Sequence, residues 1–352
     1  MRRLYRLGGA VVILIAVFVG YTVWLAGEFK SIEPHFDGTC RSVEGIVGTE
    51  DITIHPQTGI AYISSEDRRA TIAGTPTQGG IWSYDLNRAG AKPVNLTADI
   101  KFPFHPHGIG LWPIGDSGEL MVVNHRRGGL EGAFEDTIEV FALEGSALRH
   151  IRTIRSDLLL SANDVVPSGG GRFYASIDHG NPSGILRTVE DYARLPLAHV
   201  VYYDTVRFRK FADGIRYANG INLSRDGTTL YVAGTTDRVI HVFTRTDING
   251  FLLSNGQIET GTGVDNIEFD TDGTLWVGAH PKLLTFVGHS KDADKLSPSQ
   301  VLHIDPTTGN SEEVFLSDGS DISASSVAAK FGRRLLIGAV FDAKFLDCEL
   351  PG

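Results

Sequence analysis

The feature that most constrains this chain is a strand–turn–strand unit that recurs six times. Its clearest copy, residues 264–281, has the pattern of a strand, a tight Asp-Gly turn and a second strand. Successive copies begin about 46 to 60 residues apart, close to the period of propeller blades, and they open at Glu50, His107, Asn163, Asn219, Asp265 and Ser325. We therefore predict an all-β fold, a six-bladed β-propeller over residues 29–352.

Most of these repeats open with polar side chains. In a propeller the first strand of each blade lines the central channel, so the opening residues meet at one end of it. They are Glu50, Asp51, His107, Asn163, Asp164, Asn219, Asp265 and Asn266. Any one of them alone would be ordinary strand-edge chemistry, but several carboxylates in one narrow channel repel unless a cation neutralises them. Carboxylate and amide oxygens without a thiolate are typical of calcium, so we predict a calcium site in the channel.

Two histidines are expected beside this site. His107 opens the second repeat, and His125 ends the second strand of the same repeat. A histidine at a strand end is usually structural, but a hairpin would bring these two together, and paired imidazoles make a general base for water. His179 and His280 also follow strands and are predicted to line the same channel mouth.

The N-terminus carries a different pattern. Arg2, Arg3 and Arg6 precede an apolar run over residues 7–26. About 20 apolar residues suit a helix that spans a bilayer, and the preceding arginines place the N-terminus in the cytosol. We therefore expect residues 1–28 to be a signal-anchor helix with the propeller on the lumenal or extracellular side; a cleaved signal peptide is the alternative.

The two cysteines lie near the ends of the predicted propeller. Cys40 and Cys348 are the only cysteines in the chain. A propeller must join its first and last segments, and a disulfide in an exported chain would do so covalently; the alternative is two unrelated buried thiols. Asn95 opens an Asn-Leu-Thr glycosylation signal that applies if the host is a eukaryote.

Composition excludes some classes of function. The net charge of −10 argues against nucleic-acid binding, which requires a basic surface. Signatures of serine hydrolases, zinc proteases and phosphate-binding loops are absent from the sequence, so hydrolysis would depend on the metal and the histidines.

The polar stretch 66–80 is predicted to be a mobile loop, and residues 189–195 have the spacing of a helix that would cover the channel mouth.

The chain resembles the serum paraoxonase and arylesterase family from about Cys40 to Leu350. The resemblance rests on motifs that occur in the same order as in the family: Glu50-Asp51, Pro106-His107-Gly108-Ile109, Val123-Asn124-His125, Asn163-Asp164, Asp178-His179, Ala218-Asn219-Gly220-Ile221-Asn222, Val264-Asp265-Asn266-Ile267, His280-Pro281 and Cys348-Glu349-Leu350.

This resemblance implies two calcium ions. The catalytic calcium would be held by Glu50, Asn163, Asn219, Asp265 and Asn266. The structural calcium would be held by Asp51, Asp164 and the carbonyl of Ile109. His107 and His125 match the family's histidine dyad, and the family keeps its hydrophobic N-terminus uncleaved. Its members hydrolyse lactones and aryl esters, and some also hydrolyse organophosphates.

One departure from the family pattern concerns the substrate pocket. Ala279 stands where some members carry a free cysteine, and the loop and lid segments match poorly. We therefore expect a calcium-dependent esterase or lactonase whose particular small-molecule ester or lactone is undetermined. The alternatives are a sugar-lactone hydrolase of the same fold and a non-catalytic propeller scaffold that calcium stabilises; the sequence does not indicate an oligomeric state.

Overall fold

A computed structural model describes residues 2–126, 135–145, 147–181, 183–246 and 249–352. Its strands form six antiparallel four-stranded sheets, which are the six blades of a β-propeller. The predicted fold class is therefore confirmed. In every blade the strand nearest the channel is the first strand of a predicted repeat, and it pairs with the second strand of the same repeat.

The strands are numbered in chain order. Blade 1 contains β2–β5: Ile52–Ile54, Ile60–Ser65, Gly80–Asp85 and Val94–Asn95. Blade 2 contains β6–β9: Pro106–Ile114, Ser117–Arg126, Glu135–Glu144 and Ala147–Arg155. Blade 3 contains β10–β13: Ala162–Gly169, Arg172–Ile177, Ala198–Tyr203 and Phe208–Ile215. Blade 4 contains β14–β17: Ala218–Leu223, Thr229–Gly234, Val239–Arg245 and Leu252–Glu259.

Blade 5 contains β18–β21: Gly263–Phe269, Leu275–His280, Ser299–Ile304 and Ser311–Ser317. Blade 6 contains β22–β24 and, on its outer edge, β1: Ser325–Phe331, Arg334–Ala339, Lys344–Glu349 and Thr39–Glu44. The helices are α1–α4: Arg2–Leu25, Arg68–Ile72, Gly184–Ala193 and Leu283–Lys291. A short 3₁₀ helix covers Asp157–Leu159.

Five of the six innermost strands contain a β-bulge near their first residue. In β18 the pairing shifts between Val264 and Ile267, and the same irregularity occurs in β6, β10, β14 and β22. Side chains along a regular strand alternate between its two faces. A bulge re-aims them, so the adjacent residues Asp265 and Asn266 both reach the same polar cluster at the channel mouth.

Glycines allow these inner strands to approach each other closely. A Cβ on Gly108 would lie 2.3 Å from Asp164 Oδ1, and a Cβ on Gly220 would lie 2.5 Å from the Cα of Asn266. No side chain fits at such distances, so only glycine allows this approach. The glycines after His107 and Asn219 therefore bring neighbouring blades together at the channel mouth.

The hydrophobic core forms a ring between the blades. Each of six buried apolar clusters joins two neighbouring blades, and one of them closes the circle between blades 6 and 1. In that cluster Ile63 of blade 1 packs with Val327 and Leu336 of blade 6. Each fully buried aliphatic side chain contributes about 1.5 to 3 kcal/mol, so the ring is held together mainly by contacts between blades.

The two ends of the propeller are joined as predicted. Strand β1 pairs with β24 in blade 6, and Cys40 and Cys348 form a disulfide across this pair. Asp347 on β24 accepts hydrogen bonds from Arg41 of β1, from Tyr84 of blade 1 and from Arg334 of β23. The closure therefore combines a covalent bond with a buried polar network.

The N-terminal segment is helical, as predicted, over Arg2–Leu25. Within the described residues, however, no helix combines the length and the apolar character needed to cross a membrane. The predicted membrane anchor over residues 1–28 thus lacks support from the structure.

Two surface segments differ from their predictions. Residues 66–80 do not form only a mobile loop, because Arg68–Ile72 is a helix whose N-cap, Asp67, accepts a hydrogen bond from Ala70 N. Glu66 beside it is buried. The predicted helix at residues 189–195 exists as α3, but it begins and ends earlier, at Gly184 and Ala193.

Asn95 lies in the outer strand of blade 1, where its Oδ1 accepts a hydrogen bond from Thr97 N.

Candidate active site

One end of the channel opens into a cavity of about 490 Å³. The predicted residues Glu50, His107, Asn163, Asn219 and Asp265 line it, together with His179 and His280. Asn266 also belongs to this cluster, because its Nδ2 donates to the backbone oxygen and to Oε1 of Glu50, at 3.0 and 2.9 Å. The five predicted ligands of the catalytic calcium, which come from four blades, therefore converge.

These five side chains share an unusual property. Within the described part of the chain, each has one buried oxygen that accepts no hydrogen bond, namely Glu50 Oε2, Asn163 Oδ1, Asn219 Oδ1, Asp265 Oδ1 and Asn266 Oδ1. A buried polar atom without a partner is costly, so native proteins rarely contain one. Five such atoms in one cluster have the chemistry of a ligand set for a hard cation. Among the described residues no three or more His, Cys, Asp and Glu side chains are grouped so that they could hold a metal ion by themselves. Three of the five oxygens here belong to amides.

The charge balance of the cluster also favours a cation. Burial, the largest cause, raises the pKa of Glu50 to about 8; Asp265 and Asp51 add to this effect, and Arg68 opposes it. The carboxyl group is thus poorly stabilised as an anion by the protein alone. A divalent cation would favour the charged form.

The two acids predicted for the structural calcium have different surroundings. Asp51 accepts hydrogen bonds from Ile52 N and Ile109 N, at 2.8 and 2.7 Å. Asp164 does the same with Val165 N and Ile221 N, at 2.7 and 2.8 Å. Each acid therefore links its own blade to the next one through backbone amides. Ile109 contacts Asp51 through its N–H, and the role of its carbonyl as a calcium ligand stays a prediction.

The predicted histidine pair is in contact. The ring centroids of His107 and His125 lie 4.8 Å apart. His125 Nδ1 bonds to Asp136 Oδ1 at 2.8 Å, and Asp136 Oδ2 accepts from Ala162 N at 3.0 Å. Asp136 therefore orients His125, although nothing in the sequence singled it out.

Arg68 is a second residue that sequence reasoning missed. Its Nη2 donates to Nδ1 of His107 at 2.9 Å and lies 3.9 Å from Glu50 Oε2. Burial, followed by the charge of Arg68, holds the pKa of His107 well below its ordinary value. The only signal in the sequence was an arginine pair within a polar stretch, which gave no indication of a buried position.

The two other predicted histidines, His179 and His280, also line the cavity. His179 lies between Asp178 and Asp191. Its Nδ1 is 2.6 Å from Asp178 Oδ1, and its Nε2 is 2.6 Å from Asp191 Oδ1. His280 Nε2 bonds to Asp265 Oδ2 at 2.8 Å, and its ring stacks on Phe286 with centroids 4.1 Å apart. Both predicted pocket residues therefore lie in the site.

Part of the cavity lining is apolar. It comes from the end of α1 and from α4, and it includes Leu25, Ala26, Leu283, Leu284 and Val287. Helix α3 adds polar groups, among them Thr188 and Asp191. The site thus combines a polar cluster with an apolar wall, which suits a small organic molecule with one reactive polar group.

Comparison with solved structures supports the fold. A gluconolactonase from Xanthomonas campestris is 16% identical with a TM-score of 0.57, and the match covers 90% of each chain. Regucalcin from Agrobacterium tumefaciens, a calcium-binding protein, is 17% identical with a TM-score of 0.50, covering 90% of this chain and 96% of that one. At this identity the similarity concerns the fold alone.

Comparison of sequences is more specific. The human serum paraoxonase/arylesterase 1 is 34% identical over 335 residues, which is 91% of each chain. The serum paraoxonase/arylesterase 2 of Rattus norvegicus is 34% identical over 325 residues, or 88% of each chain. The sequence model of the Arylesterase family matches residues 28–350. This match, with the identity over most of the chain, shows that the protein belongs to the arylesterase family and is an ester-hydrolysing enzyme.

Proposed function

We propose that this protein is a calcium-dependent hydrolase of lactones and aryl esters. The observation that carries the proposal is the set of five buried oxygens without hydrogen-bond partners, next to a histidine pair at the bottom of a cavity. Because the chain belongs to the arylesterase family, ester hydrolysis is the expected reaction. The requirement for calcium and the roles of individual residues are our proposal.

Five residues would hold the catalytic calcium: Glu50, Asn163, Asn219, Asp265 and Asn266. When bound, calcium would supply a Lewis acid that polarises the substrate carbonyl and stabilises negative charge on its oxygen. The Asn266 amide, which donates to Glu50, and the His280 ring, which bonds to Asp265, would keep both carboxylates in place.

The histidine pair would activate the attacking water. His107 lies at the cavity wall and would take the proton at Nδ1 after Arg68, which donates to this nitrogen, moves aside; His125 beside it would assist. Asp136 would hold the His125 ring by its Nδ1. The carboxylates of Asp265 or Glu50 are the alternative acceptors of that proton.

A second calcium ion and a broader substrate range belong to the same proposal. Asp51, Asp164 and the carbonyl of Ile109 would hold the structural ion, in the part of the channel where these acids already link neighbouring blades. Organophosphates would be promiscuous substrates, since their phosphoryl oxygen, like an ester carbonyl oxygen, carries a partial negative charge that a cation can bind.

Two other functions are less well supported. A sugar lactone carries several hydroxyl groups, whereas one wall of this cavity consists of aliphatic side chains such as Leu25 and Leu283. A scaffold without activity would leave the contact between His107 and His125 without a role.

The disulfide favours an exported propeller, because such bonds persist in oxidising compartments.

The experiment is a hydrolase assay of the purified full chain. Phenyl acetate, a series of aliphatic lactones and gluconolactone are tested with calcium, after chelation and after calcium is restored. Hydrolysis that chelation abolishes and calcium restores supports the proposal. Hydrolysis of gluconolactone alone would instead favour the sugar-lactone enzyme, and a calcium-stabilised protein without any hydrolysis would favour the scaffold.

A matched pair of variants tests the ligand assignment. Asp265→Asn removes one charge from the cluster, so calcium affinity measured by calorimetry is expected to fall at least about tenfold. Asp116→Asn removes the same charge from an exposed turn and is expected to leave the affinity unchanged. Equal affinities in the two variants would contradict the assignment.

A further inference from the structure

We propose that residues 22–28, the end of the N-terminal helix and the turn after it, form a wall of the substrate cavity and select substrates by their apolar substituent. This inference rests on the proposed function, because it concerns the substrate of the same site. It gives the hydrophobic N-terminal segment a role in specificity, whether or not the segment also contacts a membrane.

Part of the segment lies directly in the cavity. Thr22, Leu25 and Ala26 line the same space as Glu50 and His107. Ala26 is buried, with only 8% of its surface exposed. A substrate whose reactive group lies beside Glu50 and His107 would therefore extend its substituent toward these side chains.

Glu28 fixes the segment to helix α4. The residue before α4, Lys282, provides no side-chain cap, so the first backbone amides of the helix need other acceptors. Oε1 of Glu28 accepts from Leu284 N and Thr285 N, at 2.8 and 3.0 Å, and its Oε2 accepts from Thr285 Oγ1 at 2.7 Å. The negative charge also suits the positive end of the helix dipole.

The backbone of the segment makes further contacts with the start of α4. The carbonyl of Ala26 accepts from Leu283 N at 2.9 Å. Gly27 has a φ of +77°, and a Cβ at this position would lie 2.2 Å from the carbonyl oxygen of Pro281. Only glycine permits both the conformation and the contact, so this turn is built to lie against α4.

Helix α4 connects the segment with the proposed metal ligands. Leu283, Phe286 and Val287 of α4 line the cavity. The Phe286 ring stacks on His280, and His280 in turn bonds to Asp265. Displacement of the N-terminal segment would therefore remove one wall of the cavity and take away contacts that hold α4, which forms another wall.

The chemistry of the wall identifies the kind of substituent. Leu25 and Ala26 line the cavity together with the apolar side chains Leu283, Phe286 and Val287 of α4. An alkyl chain on the acyl group or on the lactone ring would be favoured there, with KM falling roughly fourfold for each methylene group that is fully buried.

The test compares phenyl octanoate with phenyl acetate in the full-length protein. Leu25→Trp fills the space beside the substituent, so the ratio of kcat/KM for octanoate to that for acetate is expected to fall at least tenfold. Val19→Trp introduces the same side chain at an exposed position of α1 and should leave the ratio unchanged. A Leu25→Trp variant that affects both esters equally would overturn the selection of substituents.

A second pair of variants tests the docking through Glu28. Glu28→Ala should raise KM for phenyl octanoate several-fold at nearly constant kcat, and it should accelerate trypsin cleavage after Lys30. Glu33→Ala, at an exposed position five residues further along the chain, is the control. If Glu28→Ala changes neither KM nor cleavage, the proposed docking is wrong. A wild-type protein that cleaves neither ester would refute the proposed function, and the trypsin comparison would still decide whether Glu28 docks the segment.

Discussion

At the scale of single residues, the channel contains two kinds of buried acid. Asp51 and Asp164 use both carboxylate oxygens to accept backbone N–H groups, one from the next residue in the chain and one from the inner strand of the next blade. Glu50 and Asp265 each keep one buried oxygen without any such donor. Because the first kind is satisfied by the protein and the second is not, the second is the better candidate for cation binding.

The first residue prediction concerns the proposed base. His107→Gln removes the group that would accept the proton from water, so lactone hydrolysis is expected to fall by about 100-fold or more. Calcium affinity should change little, because the five proposed ligand oxygens remain. The measurement combines initial rates with calcium calorimetry, with His303→Gln in blade 5 as the control. Unchanged turnover would move the base to Asp265 or Glu50.

The second residue prediction concerns Asp136. Asp136→Asn should lower kcat by roughly tenfold, a part of the 100-fold or more that general-base catalysis contributes, because His125 would lose its anionic partner. The same change in a His125→Gln background should have much less effect, since the group that Asp136 orients is already absent. Effects that multiply in the double variant would show that Asp136 acts independently of His125.

At the scale of elements, helix α3 lines the cavity and is fixed to blade 3 by its acids. Glu190 accepts hydrogen bonds from Gly180 N and Asn181 N, at 2.8 and 3.0 Å. Asp191 bonds to His179, whose other ring nitrogen bonds to Asp178. Burial disfavours the charged imidazole, but the two carboxylates outweigh it and raise the pKa of His179 to about 9, against the opposing charge of Arg187.

This arrangement predicts a pH-dependent contribution to stability. A raised folded-state pKa gives stability that is fully present below the unfolded value, near pH 6.5, and is lost as the pH rises through about 9. Asp191→Asn should therefore lower the free energy of unfolding by about 1 kcal/mol at pH 6, allowing for the partly exposed Asp191. The difference should shrink at pH 10.

Urea unfolding at both pH values tests this prediction. Asp213→Asn serves as the control, because this side chain is 77% exposed and contacts only Lys210 among the ion pairs of the described residues. An Asp191→Asn deficit of equal size at pH 6 and pH 10 would show that charge on His179 does not hold the helix.

At the scale of the whole molecule, the ring is closed by strand β1 and its disulfide. Cys40 and Cys348 are 308 residues apart, so the bond constrains nearly the whole propeller in the unfolded state. Replacing both cysteines with serine is expected to lower the free energy of unfolding by about 2 to 5 kcal/mol. Chemical denaturation measures this, and the reduced wild type should match the double variant. Equal stability with and without the bond would contradict the closure role.

Cation binding should also stabilise the whole ring. The proposed ligands belong to blades 1, 3, 4 and 5, so a bound ion would join segments that are far apart in the chain. At a calcium concentration 100 times Kd the folded state gains about 2.7 kcal/mol. Thermal unfolding should therefore show a Tm that rises with calcium and falls after chelation, while magnesium has a weaker effect. A Tm that is independent of calcium would argue against the site.

Much of this architecture was determined by the sequence alone. The recurring hairpins predicted six blades, the polar openers predicted which side chains meet, and the positions of Cys40 and Cys348 predicted the closure. These features depend on local periodicity and on the known geometry of a propeller, which brings equivalent positions of its repeats to one end of the channel.

Other features were decided only by the tertiary structure. Bulges turn Asp265 and Asn266 toward one cluster, Arg68 reaches His107 from an apparent loop, and Glu28 caps a helix 257 residues away in the chain. Such contacts join residues from unrelated repeats, and they depend on how backbones twist and pack against each other. No local pattern encodes them, because hydrophobicity and turn residues specify which strands form, whereas the packing of neighbouring blades decides which side chains meet.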